Sequence, residues 1–235
     1  MPVEITKAMV LAAGRGTRMR SLTDETPKPL IKVKGRTLID RILDKIAAYG
    51  ITQGVVNVCY LGDQIKSALR QRTDIHLTFS EEETALETGG GVKKALPFLG
   101  ENPFFVLNAD PLWTEERPSL QDMADAFDQE QTDISLLLWP VERVFGHDGK
   151  GDYFLENGRP RRKRPDESGA PYVYAGAQIL NPWIFADAPE GKFSLNLLYD
   201  KAEQAGRLAA VVGAGDWYHV GTPEALALAE KRLRE

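Results

Sequence analysis

Apolar positions along the chain fall into two rhythms, short unbroken runs and longer helical spacings, and the two take turns. Residues 7–13 form a nearly continuous apolar run that leads straight into the glycines of 14–16. Such a run reads as a strand buried on both faces of a sheet. Residues 37–49 place Leu38, Ile42, Leu43 and Ile46 at helical spacing, with Gly50 as the stop signal. A second strand is expected at 55–58, a helix at 63–69 and a third strand at 75–79. The glycines 89–91 are expected to open a helix carrying Val92 and Ala95, and 104–107 reads as a fourth strand ending at Asn108, Ala109 and Asp110. Strands alternating with helices favour parallel βαβ units.

The second half is less regular. It predicts a helix over 119–128, a buried strand over 134–139 and a hairpin turning at Asn157-Gly158. A strand over 172–180, a helix over 195–205 and a strand over 208–212 follow. Thr222 is placed as an N-cap before Pro223, with helix through Arg234. No repeat and no Pro/Gly/Ser-rich linker divides the chain. The expectation is a single α/β domain over 1–235 with a Rossmann-like, mostly parallel mixed sheet flanked by helices. Its nucleotide-binding part would cover about 1–115 and its second part about 116–235.

Composition narrows the function classes. The chain has 235 residues, a net charge of -5 and one cysteine, Cys59. One cysteine excludes a disulfide framework and any multi-cysteine metal site. The acidic balance argues against nucleic acid as the main partner. The longest early apolar run, 8–13, is far short of the ~20 residues a membrane helix needs, so no membrane partner and a cytoplasmic location are expected. The basic run 159–164, with five cations in six positions, is read as a solvated hairpin tip, because no aromatic residues are interleaved with it.

In an open parallel sheet, ligands bind beyond the carboxyl ends of the strands. Three unusual segments fall there: 14–28, 87–91 and 108–110. Gly14 and Gly16 let the backbone approach an anion closely. Arg18 offers a forked cation, and Lys28 a compact one held stiff between Pro27 and Pro29. Together they suit a triphosphate. Met19 stands where a dinucleotide fingerprint needs its third glycine, and no Gly-Lys-Ser/Thr occurs, so dehydrogenase and Walker-type readings both fail.

Leu11 to Met19 followed by Pro27-Lys28-Pro29 resembles the signature of the sugar-phosphate nucleotidyltransferases, or NDP-sugar pyrophosphorylases. Leu86 to Gly91, Asn108-Ala109-Asp110 and the closing Val220-Gly221-Thr222-Pro223-Glu224 extend the likeness over nearly the whole chain. Within the family it is nearest to the N-acetylmuramate 1-phosphate uridylyltransferases and almost as near to the mannose-1-phosphate guanylyltransferases. The resemblance implies a Mg²⁺-dependent reaction between a nucleoside triphosphate and a sugar 1-phosphate, in a monomer or homodimer. It implies that Ala12, Ala13, Gly14, Gly16 and Thr17 cradle the nucleotide, that Arg18 holds the β- and γ-phosphates, and that Lys28 sits at the α-phosphate. Glu87, Thr88, Gly89 and Gly90 would face the nucleoside, Asn108 the nucleotide, and Asp110 the metal. Gly176 and Gln178, with Asp152 and Asn196, would line the sugar-phosphate site. Where many relatives carry a second metal carboxylate, this chain has His219, which either ligates the metal or leaves Asp110 to hold it with the phosphates. The competing class is a non-catalytic nucleotide sensor on the same fold, which the joint presence of Arg18, Lys28 and Asp110 disfavours.

Overall fold

The computed structural model describes residues 4–147 and 149–233. In chain order the strands are β1 (Lys7–Leu11), β2 (Lys32–Val33), β3 (Arg36–Thr37), β4 (Gln53–Val58), β5 (His76–Glu81), β6 (Phe104–Asn108), β7 (Pro111–Trp113), β8 (Ile134–Pro140), β9 (Val144–Phe145), β10 (Tyr153–Glu156), β11 (Arg159–Arg162), β12 (Tyr172–Leu180), β13 (Leu208–Val212) and β14 (Trp217–His219). The helices are α1 (Leu38–Tyr49), α2 (Gly62–Leu69), α3 (Glu87–Leu99), α4 (Ser119–Asp125), α5 (Asn196–Gln204) and α6 (Pro223–Arg232).

A nine-stranded mixed sheet runs through both halves of the chain. β5, β4, β1 and β6 lie parallel, β12 joins β6 antiparallel, and β8 continues from β12 with β13 parallel to it. The parallel strands bury both faces, as their apolar runs require. Alternate residues feed two cores. Val10, Val56 and Leu107 meet Ile42, Ile65 and Leu120 on one side, and Met9, Val55 and Val106 meet Val92, Ala95 and Leu198 on the other. α1 forms because Thr37 caps its start by accepting from the Asp40 amide and Gly50 closes it at φ 106°.

Several boundaries move from their expected places for identifiable reasons. β1 stops at Leu11 instead of residue 13, because the Ala12 amide turns out of the ladder to donate to Asn57 Oδ1 at 2.8 Å. The helix expected over 119–128 ends at Asp125, and Asp128 begins a turn that accepts from the Thr132 amide. α3 starts at Glu87, so the glycine triplet lies inside its first turns. The Asn157-Gly158 turn sits where expected, both residues at positive φ, between β10 and β11. The last helix, expected through Arg234, ends at Arg232, because Leu233 leaves the helical region at ψ 119°; Arg234 itself lies outside the described residues. The small sheet β7-β14-β9 was not expected. It matters because it carries the chain on either side of Asp110 and His219.

The run 159–164 is not a solvated tip. Arg161 is clamped by Glu156 and Glu167 and lies over the Phe154 ring, Arg162 pairs with Asp200, and Arg159 donates to the Gly206 carbonyl. Glu156 and Glu167 lie five and six residues from Arg161, whereas Asp200 comes from α5, 38 positions beyond Arg162.

Candidate active site

A cavity of about 380 Å³ opens at the carboxyl ends of β1, β4, β5 and β6, where the sheet topology places ligand sites. Ala12, Ala13, Gly14, Gly16, Thr17 and Arg18 form one wall, Glu87 and Thr88 another, and Lys28, Asn108 and Asp110 the remainder.

Lys28 lies on a 3₁₀ turn between its two prolines and is only 8% exposed. Its ammonium reaches Asp110 Oδ2 at 2.6 Å, drawing together residues 82 positions apart. Gly16 makes this possible. It adopts φ 68°, and a β-carbon there would stand 2.9 Å from Lys28 Cβ, so any side chain would push the lysine stem aside. The loop that follows is tied down by Thr23, whose hydroxyl donates to the Gly16 carbonyl, and by Tyr60, whose hydroxyl donates to the Asp24 carbonyl.

Two residues not singled out by the motif brace the cavity from below. Asn57 accepts from the Ala12 amide and donates to Glu82 Oε1 at 2.6 Å, and Glu82 Oε2 accepts from the Leu86 amide at 2.9 Å. This buried chain ties the loop after β1 to the loop before α3. Asn57 lies one residue before the end of β4 and Glu82 directly follows β5, both at the same rim as Asn108 but without a motif to mark them.

Six of the residues expected to contact the nucleotide or the sugar phosphate lie outside this cavity. Gly89 and Gly90 are buried behind the cavity wall, and both amides donate to the Phe193 carbonyl. A β-carbon at Gly90 would stand 2.1 Å from the Gly191 carbonyl oxygen, and one at Gly89 2.3 Å from the Phe193 ring. Their missing side chains make room for this neighbouring segment, where a nucleobase was expected. Gly176 sits at φ 85° where β12 bulges, and a β-carbon there would meet Pro111 and Asn108. It lets the strand close on Asn108 and Pro111, which lie on either side of Ala109-Asp110. Gln178 is fully buried and accepts from the Tyr199 hydroxyl at 2.5 Å. Asp152 and Asn196 line a second cavity.

His219 lies opposite Pro111 in the β14–β7 pair, beside Asp110. Its ring stacks on Trp217, and Gly221 gives it room, since a β-carbon there would fall 2.2 Å from Nε2. Burial, opposed by Asp110 and reinforced by Lys28, Arg18 and His147, pushes its pKa down to about 4. The imidazole is therefore neutral at pH 7. Between pH 4 and the ordinary value of 6.5 the folded chain binds fewer protons here than the unfolded chain, so this group's contribution to stability falls as pH is lowered through that window. The unfolding temperature of the wild type should decline from pH 6.5 to pH 4, and His219→Gln should flatten that decline; an unchanged slope would show that His219 titrates normally.

Asp110 fits a Mg²⁺ that draws its other ligands from phosphates and water, since magnesium takes one or two carboxylates at such sites, and the neutral His219 beside it is the softer donor, suited to the metal or to a water bound to it. Among the described residues no cluster of three or more His, Cys, Asp or Glu could hold a metal unaided.

The fold and this rim of cations and a carboxylate define a nucleotidyl-transferring enzyme, and the chain belongs to the nucleotidyl transferase family, whose profile matches residues 7–146. It is a sugar-1-phosphate nucleotidyltransferase. It is 45% identical, over 97% of each chain, to an N-acetylmuramate alpha-1-phosphate uridylyltransferase of Caulobacter vibrioides. A protein of the same name from Neisseria meningitidis serogroup B is 36% identical over 95% of this chain and 98% of its own. The solved structure of HddC from Yersinia pseudotuberculosis superposes with a TM-score of 0.78 at 23% identity, covering 98% and 100% of the two chains, and shares the fold. No helix among the described residues is long and apolar enough to cross a membrane.

Proposed function

We propose that this enzyme joins UTP and N-acetylmuramate 1-phosphate to give the UDP-sugar and pyrophosphate. The observation that carries the reaction is the pairing of buried Lys28 with half-buried Asp110 in the cavity wall, and the relatives' names supply the base and the sugar. An oxygen of the sugar phosphate attacks the α-phosphorus, the bond from that phosphorus to the bridging oxygen breaks, and pyrophosphate leaves with the electron pair.

No protein nucleophile is needed. Catalysis rests on holding two anions in line, which can contribute ~7–11 kcal/mol, and on donors aimed at the charge that develops. Free amides of the loop at Gly14 face the phosphates, and exposed Arg18 at the cavity mouth reaches the departing pyrophosphate. Lys28 is assigned to the α-phosphate, where its packed stem, flanking prolines and contact with Asp110 leave it few alternatives. Asp110 and His219 would hold Mg²⁺, which when bound neutralises phosphate charge. Dependence on UTP places the enzyme in the cytoplasm.

The test is pyrophosphate release with each of the four common nucleoside triphosphates and a panel of sugar 1-phosphates. UTP with N-acetylmuramate 1-phosphate should be the fastest pair. Turnover only with GTP and mannose 1-phosphate would reassign the substrates. Tight nucleotide binding without any turnover would make the protein a sensor.

A further inference from the structure

A second cavity of about 320 Å³ lies between the β10–β11 hairpin and the start of α5. Its walls are the neutral phenols of Tyr174 and Tyr199, whose rings lie 6.0 Å apart, with Asp152, Asn196 and Lys163 at its rim. Two contacts tie the elements around it to those around the nucleotide cavity. Two residues beyond Tyr174 the strand packs on Asn108 and Pro111 through Gly176, and the Leu195 amide, next to Asn196, donates to the Thr88 hydroxyl. A sugar whose phosphate lay at Asp110 would extend towards this space.

The charges around it are unevenly satisfied. Arg162 is held by Asp200 at 3.1 Å, and its amide donates to Glu203. Asp152 accepts from the Tyr174 amide with Oδ2. Lys163 is half-buried and fixed through its backbone, where its amide donates to the Asp152 carbonyl at 2.7 Å. Its ammonium has no ion pair or hydrogen bond among the described residues, while Arg159, Arg161 and Arg162 beside it are all engaged. An unpaired cation on an aromatic-walled cavity wants an anion from outside the chain.

We propose that Lys163 is the specificity-determining residue that reads a carboxylate on the sugar. The inference rests on the substrate reading above. N-acetylmuramate differs from N-acetylglucosamine only by a lactyl ether that ends in a carboxylate, and among the described residues the lysine is the one cation lining this cavity without a partner. A site that pairs a substrate's polar group rejects the analogue lacking it, because its own group is then left unpaired. Selection for muramate therefore comes from one ammonium, and the tyrosines supply the apolar floor for the ring.

The experiment compares kcat/KM for N-acetylmuramate 1-phosphate and N-acetylglucosamine 1-phosphate, at saturating UTP, in the wild type and in Lys163→Met, Lys163→Arg and Lys163→Glu. The wild type should favour muramate. Lys163→Met should lower the muramate-to-glucosamine ratio by roughly 10- to 100-fold, the worth of a charge-assisted hydrogen bond. Lys163→Arg should restore most of it and Lys163→Glu depress it further. A wild type that prefers muramate while Lys163→Met keeps the same ratio, or loses both sugars by the same factor, overturns the role of Lys163 and leaves the substrate reading standing. A wild type with no preference for muramate overturns the substrate reading itself, and the lysine's role with it.

Discussion

Lys28→Ala lowers the rate of pyrophosphate release by about 10²- to 10³-fold, the usual cost of deleting one oriented transition-state donor. Three observations fix the size and the kind of effect. The ammonium is buried and already placed, 2.6 Å from Asp110, so little reorganisation is needed as charge develops. Its stem is packed by Gly16 and held between prolines, so no neighbouring cation can take its position. Arg18, the other cation of the cavity, is exposed at the mouth. The loss should appear in kcat more than in KM for UTP, since the loop amides and Arg18 still bind the triphosphate. Lys28→Met serves as the packing control. It keeps most of the stem and should be as slow as alanine, and recovery of the rate in Lys28→Met would mean that the stem, and not the charge, matters.

Asp110→Asn is expected to cost about 10²-fold or more for a different reason. The carboxylate anchors Lys28 and is the charged group best placed to hold the metal beside the phosphates. Asparagine keeps the shape and one acceptor but loses the charge, so the magnesium concentration for half-maximal rate should rise along with the fall in kcat. Because the two residues act as one unit, Lys28→Ala with Asp110→Asn should be far less damaging than the product of the single effects. Rates near wild type in both single variants would show that the pair is structural, and strictly multiplicative losses would show that the two residues act independently. Steady-state kinetics across a magnesium series, with thermal unfolding to verify the fold, measures all of this.

Much of the first half was legible because its rules are local. An apolar run, a glycine-bearing turn and an amphipathic helix each announce themselves within about a dozen residues, and β1, β4, α1, α2 and β6 fall close to where those rhythms place them. The meeting of Gly16, Lys28 and Asp110 was legible for a related reason. Each sits at a strand end or on a stiff loop, and the parallel topology gathers strand ends at one rim.

What stayed hidden depends on partners far along the chain. The reason for Gly89 and Gly90 lies in the segment at 191–193, about a hundred residues away. The neutralising partners of the basic run include Asp200, and the hydroxyl that occupies Gln178 belongs to Tyr199. The brace through Asn57 and Glu82 was concealed in another way. Both look like ordinary polar residues at strand ends until the Ala12 and Leu86 amides are seen to converge on them. The same distance effect separates Lys163 from its arginine neighbours, since a row of cations gives no sign of which one lacks a partner.

In the mechanism proposed above, one rim of the sheet binds both anions, with the α-phosphate at Lys28 and Asp110. A crystal structure of the protein with magnesium, a non-hydrolysable UTP analogue and N-acetylmuramate 1-phosphate is the decisive test. The triphosphate should lie along Gly14 to Arg18, with an α-phosphate oxygen within hydrogen-bonding reach of the Lys28 ammonium and the sugar towards Tyr174. A triphosphate bound elsewhere on the molecule, or in this cavity with its α-phosphate turned away from Lys28 and Asp110, would contradict it.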